Sequence, residues 1–69
     1  MAVLIYGKDA CPYTTAARED HAARKIGFEY VNVLADPAKL KEMLKHTKGV
    51  RKVPVIVDGE KVTIGFNGT

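Results

Sequence analysis

The sequence predicts a small α/β sandwich, a four-stranded mixed sheet with helices packed on it, in the order β-α-β-α-β-β. Three observations carry that expectation. Residues 2–6 (AVLIY) form a short continuous apolar run that ends at Gly7 and precedes an alanine-rich, helix-forming stretch, as at the start of a βαβ unit. Asp36-Pro37 opens a segment whose apolar residues recur at helical spacing. Two β-rich runs near the end of the chain are separated by Asp58-Gly59, a strong two-residue hairpin signal.

The first run reads as a buried strand covered on both faces. Residues 8–12 (KDACP) read as a loop entering a helix, because Pro12 is favoured in a first helical turn, where its missing N–H costs nothing. Residues 13–25 carry Ala16, Ala17, Ala22 and Ala23 and no internal Gly or Pro, which predicts a helix stopped near Gly27 and small enough to sit close to a sheet. Residues 28–34 (FEYVNVL) alternate and are β-rich, a second strand. Asp36 is then the N-cap of a second helix and Pro37 its first residue. Leu40, Met43, Leu44 and Thr47 form its buried stripe with lysines between them, and Gly49 ends it. Residues 53–57 (VPVIV) and 61–64 (KVTI) are the third and fourth strands, antiparallel across the Asp58-Gly59 turn, whereas the first βαβ unit makes its two strands parallel with a right-handed crossover.

Length and composition narrow the function classes. The 69 residues make one domain, residues 1–69, and a chain this short buries only about 60% of its unfolded surface. A single cysteine excludes an internal disulfide, and His21 and His46 have no metal-ligand spacing around them. At 46% hydrophobic and 28% charged residues, the chain has the balance of a soluble globular domain. No apolar run approaches a membrane span, and the apolar start is too short and lacks the basic flank of a signal peptide, so the expected compartment is a reducing cytoplasm. The net charge of +3 comes without a basic stripe interleaved with aromatics, so neither nucleic acid nor membrane is expected as a partner.

The chemistry concentrates at Cys11. A cysteine at the opening of a helix meets backbone N–H groups with no intrahelical partner and the positive end of the helix dipole, both of which favour thiolate over thiol. Lys8, three residues earlier, adds a positive charge to the same loop. The alternative, an inert buried cysteine, belongs on the apolar face of a strand or helix rather than at a loop–helix junction beside Pro12. Pro54 stands out because a proline in a strand removes a ladder donor. Taken alone it reads as an ordinary trans proline at a strand start; a cis Val53–Pro54 bond would turn the chain and offer the Val53 backbone to an extended ligand. Residues 39–52 gather Lys39, Lys41, Lys45, Lys48, Arg51 and Lys52 against the single acid Glu42. Most are the solvated face of the second helix, but Arg51 and Lys52 directly precede Val53-Pro54 and suit a ligand carboxylate. His21 reads as a packing or solvent-facing residue of the first helix.

Taken together, residues 8–14 (KDACPYT), residues 51–54 (RKVP) and residues 64–68 (IGFNG) resemble the glutaredoxin family, in order, over essentially the whole chain. The resemblance implies a thioredoxin-like fold and glutathione-linked thiol–disulfide chemistry, with glutathione as co-substrate and no metal. It implies a cis Val53–Pro54 bond. By matching position, Cys11 would be the nucleophile, Lys8, Tyr13 and Arg51 would line a glutathione groove, and Val53, held by Pro54, would pair with the cysteinyl backbone of glutathione. Gly65, Phe66 and Asn67, in the glycine-containing end of the chain, would meet its γ-glutamyl carboxylate.

Two departures from the family pattern shape the mechanism. Where dithiol members carry a second cysteine, this chain has Thr14, so only a monothiol route is open, with the Thr14 hydroxyl at i+3 placed to bond the Cys11 sulfur. The Cys-Pro-Tyr-Thr pattern also resembles a bacterial branch whose nucleophile is selenocysteine; Cys11 is then that branch's cysteine form or an engineered replacement. The second departure is the absence of the C-terminal helix that usually follows the Gly-containing turn. The Gly65-Phe66 pair and the Arg-x-Val-Pro-Val run are close to the glutaredoxin-like hydrogen donors of ribonucleotide reductase, but those need two cysteines. The expected function is therefore a monomeric, glutathione-dependent monothiol oxidoreductase. The alternatives are a [2Fe–2S] carrier with glutathione as co-ligand, for which Pro12-Tyr13 departs from the usual Cys-Gly-Phe-Ser, and a non-catalytic module that binds glutathione or a peptide.

Overall fold

The computed structural model describes residues 3–66. Along the chain run β1 (Val3–Gly7), α1 (Pro12–Ala23), β2 (Phe28–Asn32), α2 (Pro37–Thr47), β3 (Val55–Asp58) and β4 (Lys61–Ile64), the expected β-α-β-α-β-β order. The four strands form one mixed sheet in the order β2-β1-β3-β4. β1 lies inside it, parallel to β2 with Val3 opposite Phe28, and antiparallel to β3 with Tyr6 opposite Val55.

Alternation along the inner strands sends side chains to two apolar clusters on opposite faces. Val3 and Ile5 of β1 and Ile56 of β3 pack with Ala17 of α1, joined by Ile26, Phe28 and Phe66. Tyr6 of β1, Val55 and Val57 of β3 and Val33 pack with Met43 of α2, joined by Leu40 and Leu44. The Tyr6 ring is wholly buried, and its hydroxyl donates to the Glu42 carboxylate at 2.6 Å. Burial first, and then Glu42, raise the Tyr6 pKa, so the donor keeps its proton.

The expected N-cap of α2 is present, while the left-handed C-cap falls to Lys48 (φ 58°), one residue ahead of Gly49. Asp36 accepts from the Ala38 N–H at 3.0 Å, Pro37 is the first helical residue, and the stripe from Leu40 to Thr47 is the buried or half-buried face. Other boundaries differ, each for a local reason. α1 ends at Ala23 rather than Lys25, because Lys25 takes the left-handed turn (φ 57°) assigned to Gly27. Of the four alanines of α1 only Ala17 is buried, and Ala22 and Ala23 face solvent, so one small residue rather than four sets the helix–sheet approach. β2 ends at Asn32, whose side chain accepts from the N–H groups of Leu34 and Ala35 and turns the chain out of the sheet. β3 begins only at Val55, after a cis Val53–Pro54 bond, the geometry implied by the family resemblance and not by Pro54 alone. The hairpin loop is Gly59-Glu60 rather than Asp58-Gly59: Asp58 pairs with Lys61. Gly59 then stands first in the loop with φ +60°, the glycine-favouring position of a II′ turn.

Met43 anchors the α2 face at 1% exposure. Met43→Ala is expected to lower stability by about 2–5 kcal/mol, seen as a fall in thermal midpoint of roughly 10 °C or more. The exposed Lys45→Ala should change it by less than about 0.5 kcal/mol.

Candidate active site

The site sits at the sheet edge where β1 ends and β3 begins. Because Tyr6 pairs with Val55, and Val55 with Ile64, the loop after Gly7, the Val53–Pro54 bond and Gly65 all reach the same edge. The Gly65 N–H donates to the Pro54 carbonyl at 2.7 Å and ties the third and second of these together.

Cys11 is the N-cap of α1, in extended backbone (φ −86°, ψ 117°). Its N–H donates to the Lys8 carbonyl at 3.2 Å, and its carbonyl accepts the first intrahelical bond from Thr15 at 3.1 Å. Pro12 follows at the first helical position and restricts the backbone there without loss of a bond. Thr14, one turn along, is wholly buried against Gly7. A Cβ at Gly7 would overlap the Thr14 side chain, so glycine at the end of β1 lets the first turn of α1 sit directly on the strand end.

Cys11 is 9% exposed. Burial alone would hold its thiol protonated. The Thr14 hydroxyl, the Thr14 and Tyr13 N–H groups and the Lys8 ammonium act in the opposite direction and prevail, so the thiol ionises below its ordinary value. The neutral thiol closes no capping hydrogen bond, and the buried Thr14 Oγ1 has no well-formed partner. Both point to the same acceptor, the thiolate, which accepts stronger hydrogen bonds than the neutral thiol.

The other residues singled out in the sequence fall as follows. Lys8 is half-buried in the loop before Cys11, and Tyr13 stands 43% exposed beside it. Pro54 and Gly65 are buried, and Val53 is half-buried. The Val53 N–H and C=O have no hydrogen-bond partner among the described residues. Arg51 and Lys52 are exposed, and with Lys8 they make no ion pair among the described residues. Phe66 is half-buried and packs on the α1 face of the sheet against the cluster that holds Val3 and Ile5. Asn67 lies outside the described residues. His21 packs, with its ring edge-on to Phe28 at 6.0 Å and Nδ1 bonded to the Ala17 carbonyl at 2.8 Å.

Three residues beside the site escape sequence reasoning. The Tyr30 hydroxyl donates to the Asp9 carboxylate at 2.7 Å, and the Arg18 guanidinium lies 3.9 Å from the centre of the Tyr30 ring. Alternation in residues 28–34 puts Phe28 and Tyr30 on one face, but nothing local links Tyr30 to Asp9.

A cysteine at a helix N-terminus, its thiol ionising below the ordinary value, beside the start of β3 in a sheet of this order, is the site of a thiol–disulfide oxidoreductase of thioredoxin-like fold. The family model for glutaredoxin matches residues 3–62, and the chain belongs to the glutaredoxin family. Among solved structures, a glutaredoxin from Archaeoglobus fulgidus superposes with a TM-score of 0.85 at 27% identity, over 97% of this chain and 78% of its own. The glutaredoxin-like NrdH-redoxin of Escherichia coli, described as having a thioredoxin-like activity profile, gives 0.83 at 30% identity, over 97% of this chain and 86% of its own. A glutaredoxin from Brucella melitensis gives 0.74 at 28% identity, over 94% of this chain and 70% of its own. No curated protein matches the chain significantly.

The site's electrostatics set a pH dependence. Alkylation of Cys11 by iodoacetamide should show a midpoint below that of an ordinary thiol. Thr14→Val, which keeps the shape and removes the hydroxyl, should move it upward and slow alkylation on the acid side about two- to tenfold, as for one hydrogen bond of net 0.5–1.5 kcal/mol.

Proposed function

We propose that the protein is a glutathione-dependent thiol–disulfide oxidoreductase that works through Cys11 alone. The observation that carries this reading is the pairing of one thiol of lowered pKa with a Val53 main chain that has no hydrogen-bond partner among the described residues, at the same end of the sheet. The Cys11 thiolate attacks the glutathione sulfur of a mixed disulfide R–S–S–G. The Cys11–glutathione disulfide forms, the S–S bond of the mixed disulfide breaks, and R–S⁻ leaves. A second glutathione thiolate then attacks the glutathione sulfur on Cys11, yielding oxidised glutathione and regenerating Cys11 thiolate. The proton of that second glutathione ends on R–S⁻, so the net exchange is R–S–S–G + GSH giving R–SH + GSSG: one free glutathione thiol is oxidised, and the other half of the product disulfide comes from the mixed disulfide.

Each remaining residue has a binding role in this reading. The Val53 N–H and C=O pair with the cysteinyl main chain of glutathione as an added strand residue. Arg51, Lys52 and Lys8, without an ion pair among the described residues, are the cations for its two carboxylates, with Arg51 suited to a two-pronged contact. Tyr13 forms an exposed apolar wall beside the sulfur. Thr14 occupies the place of a second thiol and serves the first instead, through its hydroxyl.

Steady-state turnover of the mixed disulfide of glutathione and 2-mercaptoethanol tests the reading. Turnover is expected for the native chain and none above the uncatalysed exchange for Cys11→Ser. Arg51→Ala is expected to raise KM about three- to tenfold with kcat little changed, since the contact is the same in ground and transition states. A native chain without turnover would sink the proposal. The thioredoxin-like profile of the Escherichia coli neighbour favours a second reading, electron supply from thioredoxin reductase. Reduction of the Cys11 mixed disulfide by that enzyme but not by glutathione is the result that would select it.

A further inference from the structure

Asp9, Arg18 and Tyr30 come from the loop before Cys11, from α1 and from β2, and they meet beside the nucleophile. The parallel register sets Tyr30 opposite Ile5, close to the end of β1, and from there its hydroxyl reaches Asp9 at 2.7 Å. Arg18, two turns into α1, lays its guanidinium on the face of the same ring at 3.9 Å. The Tyr30 hydroxyl and the Cys11 sulfur are near enough to feel each other's charge.

The charges around Cys11 show what this arrangement does. Lys8 faces it from its own loop, the helix N–H groups of Tyr13 and Thr14 from α1, and Tyr30 from β2; Arg51 and Lys52 lie on the same edge ahead of β3. Against these donors and cations, Asp9 is the acid that the same loop carries. It is exposed and two residues from the cysteine, so a freely turning Asp9 side chain would oppose the thiolate.

We propose that Tyr30 and Arg18 are positioning residues that clasp Asp9 to β2, fixing loop 8–11 against the sheet and holding the carboxylate away from the Cys11 thiolate. The proposal rests on Cys11 being the nucleophile and extends that reading to residues outside the glutathione groove. Burial first, and then Asp9, push the Tyr30 hydroxyl up to about 12, so the donor persists while the thiol titrates. The clasp is therefore a constant frame for the thiol rather than a second titration.

The test is the pH profile of Cys11 alkylation by iodoacetamide in the native chain and in Tyr30→Phe, Arg18→Gln, Asp9→Asn and the Asp9→Asn/Tyr30→Phe pair. Alkylation reports the thiolate whether or not glutathione is turned over, so a failure of the clasp is separable from a failure of the glutathione reading. Tyr30→Phe is expected to raise the midpoint and slow alkylation on its acid side about two- to threefold, the effect of a few tenths of a pKa unit. Arg18→Gln, which leaves the Tyr30–Asp9 bond in place, should act in the same direction and less. Asp9→Asn should not raise the midpoint, and in that background Tyr30→Phe should have no further effect, because the charge it restrains is gone. Profiles of Tyr30→Phe and Arg18→Gln that coincide with the native one, with only thermal midpoints lowered, would overturn the proposal. A Tyr30→Phe shift that persists in the Asp9→Asn chain would overturn it equally.

Discussion

The close contact between Gly7 and Thr14 is the constraint on which the site depends. With no side chain at the last residue of β1, the first turn of α1 packs directly on the strand end, and Thr14 is sealed there. That contact fixes where the N-terminus of α1 stands relative to the sheet, and so where the Cys11 sulfur stands. A bulkier residue at position 7 would push the helix off the strand and separate the sulfur from Lys8 and from the edge shared with Val53. The same burial leaves the Thr14 hydroxyl without a full partner, a cost that a thiolate at Cys11 relieves.

Electrostatics and topology then act on the same few ångströms. Helix N–H groups, a hydroxyl and an ammonium outweigh the burial of the sulfur. The register of β1 with β3, and of β3 with β4, brings the Val53–Pro54 bond and Gly65 to the edge where that sulfur lies. Neither part suffices alone: a reactive thiol without an adjacent open main chain has no means of orienting a peptide-like disulfide, and an open main chain without the thiol is only a binding edge. On the other face of the sheet, the Tyr6–Glu42 bond and the Met43 contacts hold α2 in place, and α2 leads into the segment that carries Arg51 and Lys52.

Much of this was legible along the chain because the signals are local. Asp36-Pro37 specifies a helix start by its own chemistry, and Leu40, Met43, Leu44 and Thr47 share a face at any position in space. Cys11 followed by Pro12 at a loop–helix junction is likewise a local pattern. The structure departs from the local pattern where two local rules compete. Lys25 took the left-handed turn ahead of Gly27, Asn32 ended β2 with its side chain before the alternating pattern ran out, and Gly59 moved to the first position of its turn once Asp58 paired with Lys61. Phe66, which the resemblance puts at the ligand end, also packs against the cluster of Val3, Ile5, Ala17 and Ile56, a contact that no local pattern announces.

By itself the sequence determined the order of elements, the single thiol and hence the number of electrons and partners it can manage without a second cysteine, and the identity of the cations nearby. Those follow from composition and from spacings of a few residues. Tertiary structure decided which distant groups meet: Thr14 beneath Cys11 against Gly7, Val53 with its main chain open on the same edge, and Asp9 held by Tyr30 under Arg18. The physical reason is that these contacts are set by strand register and helix packing, which depend on the whole apolar core closing at once and on no one segment of the chain.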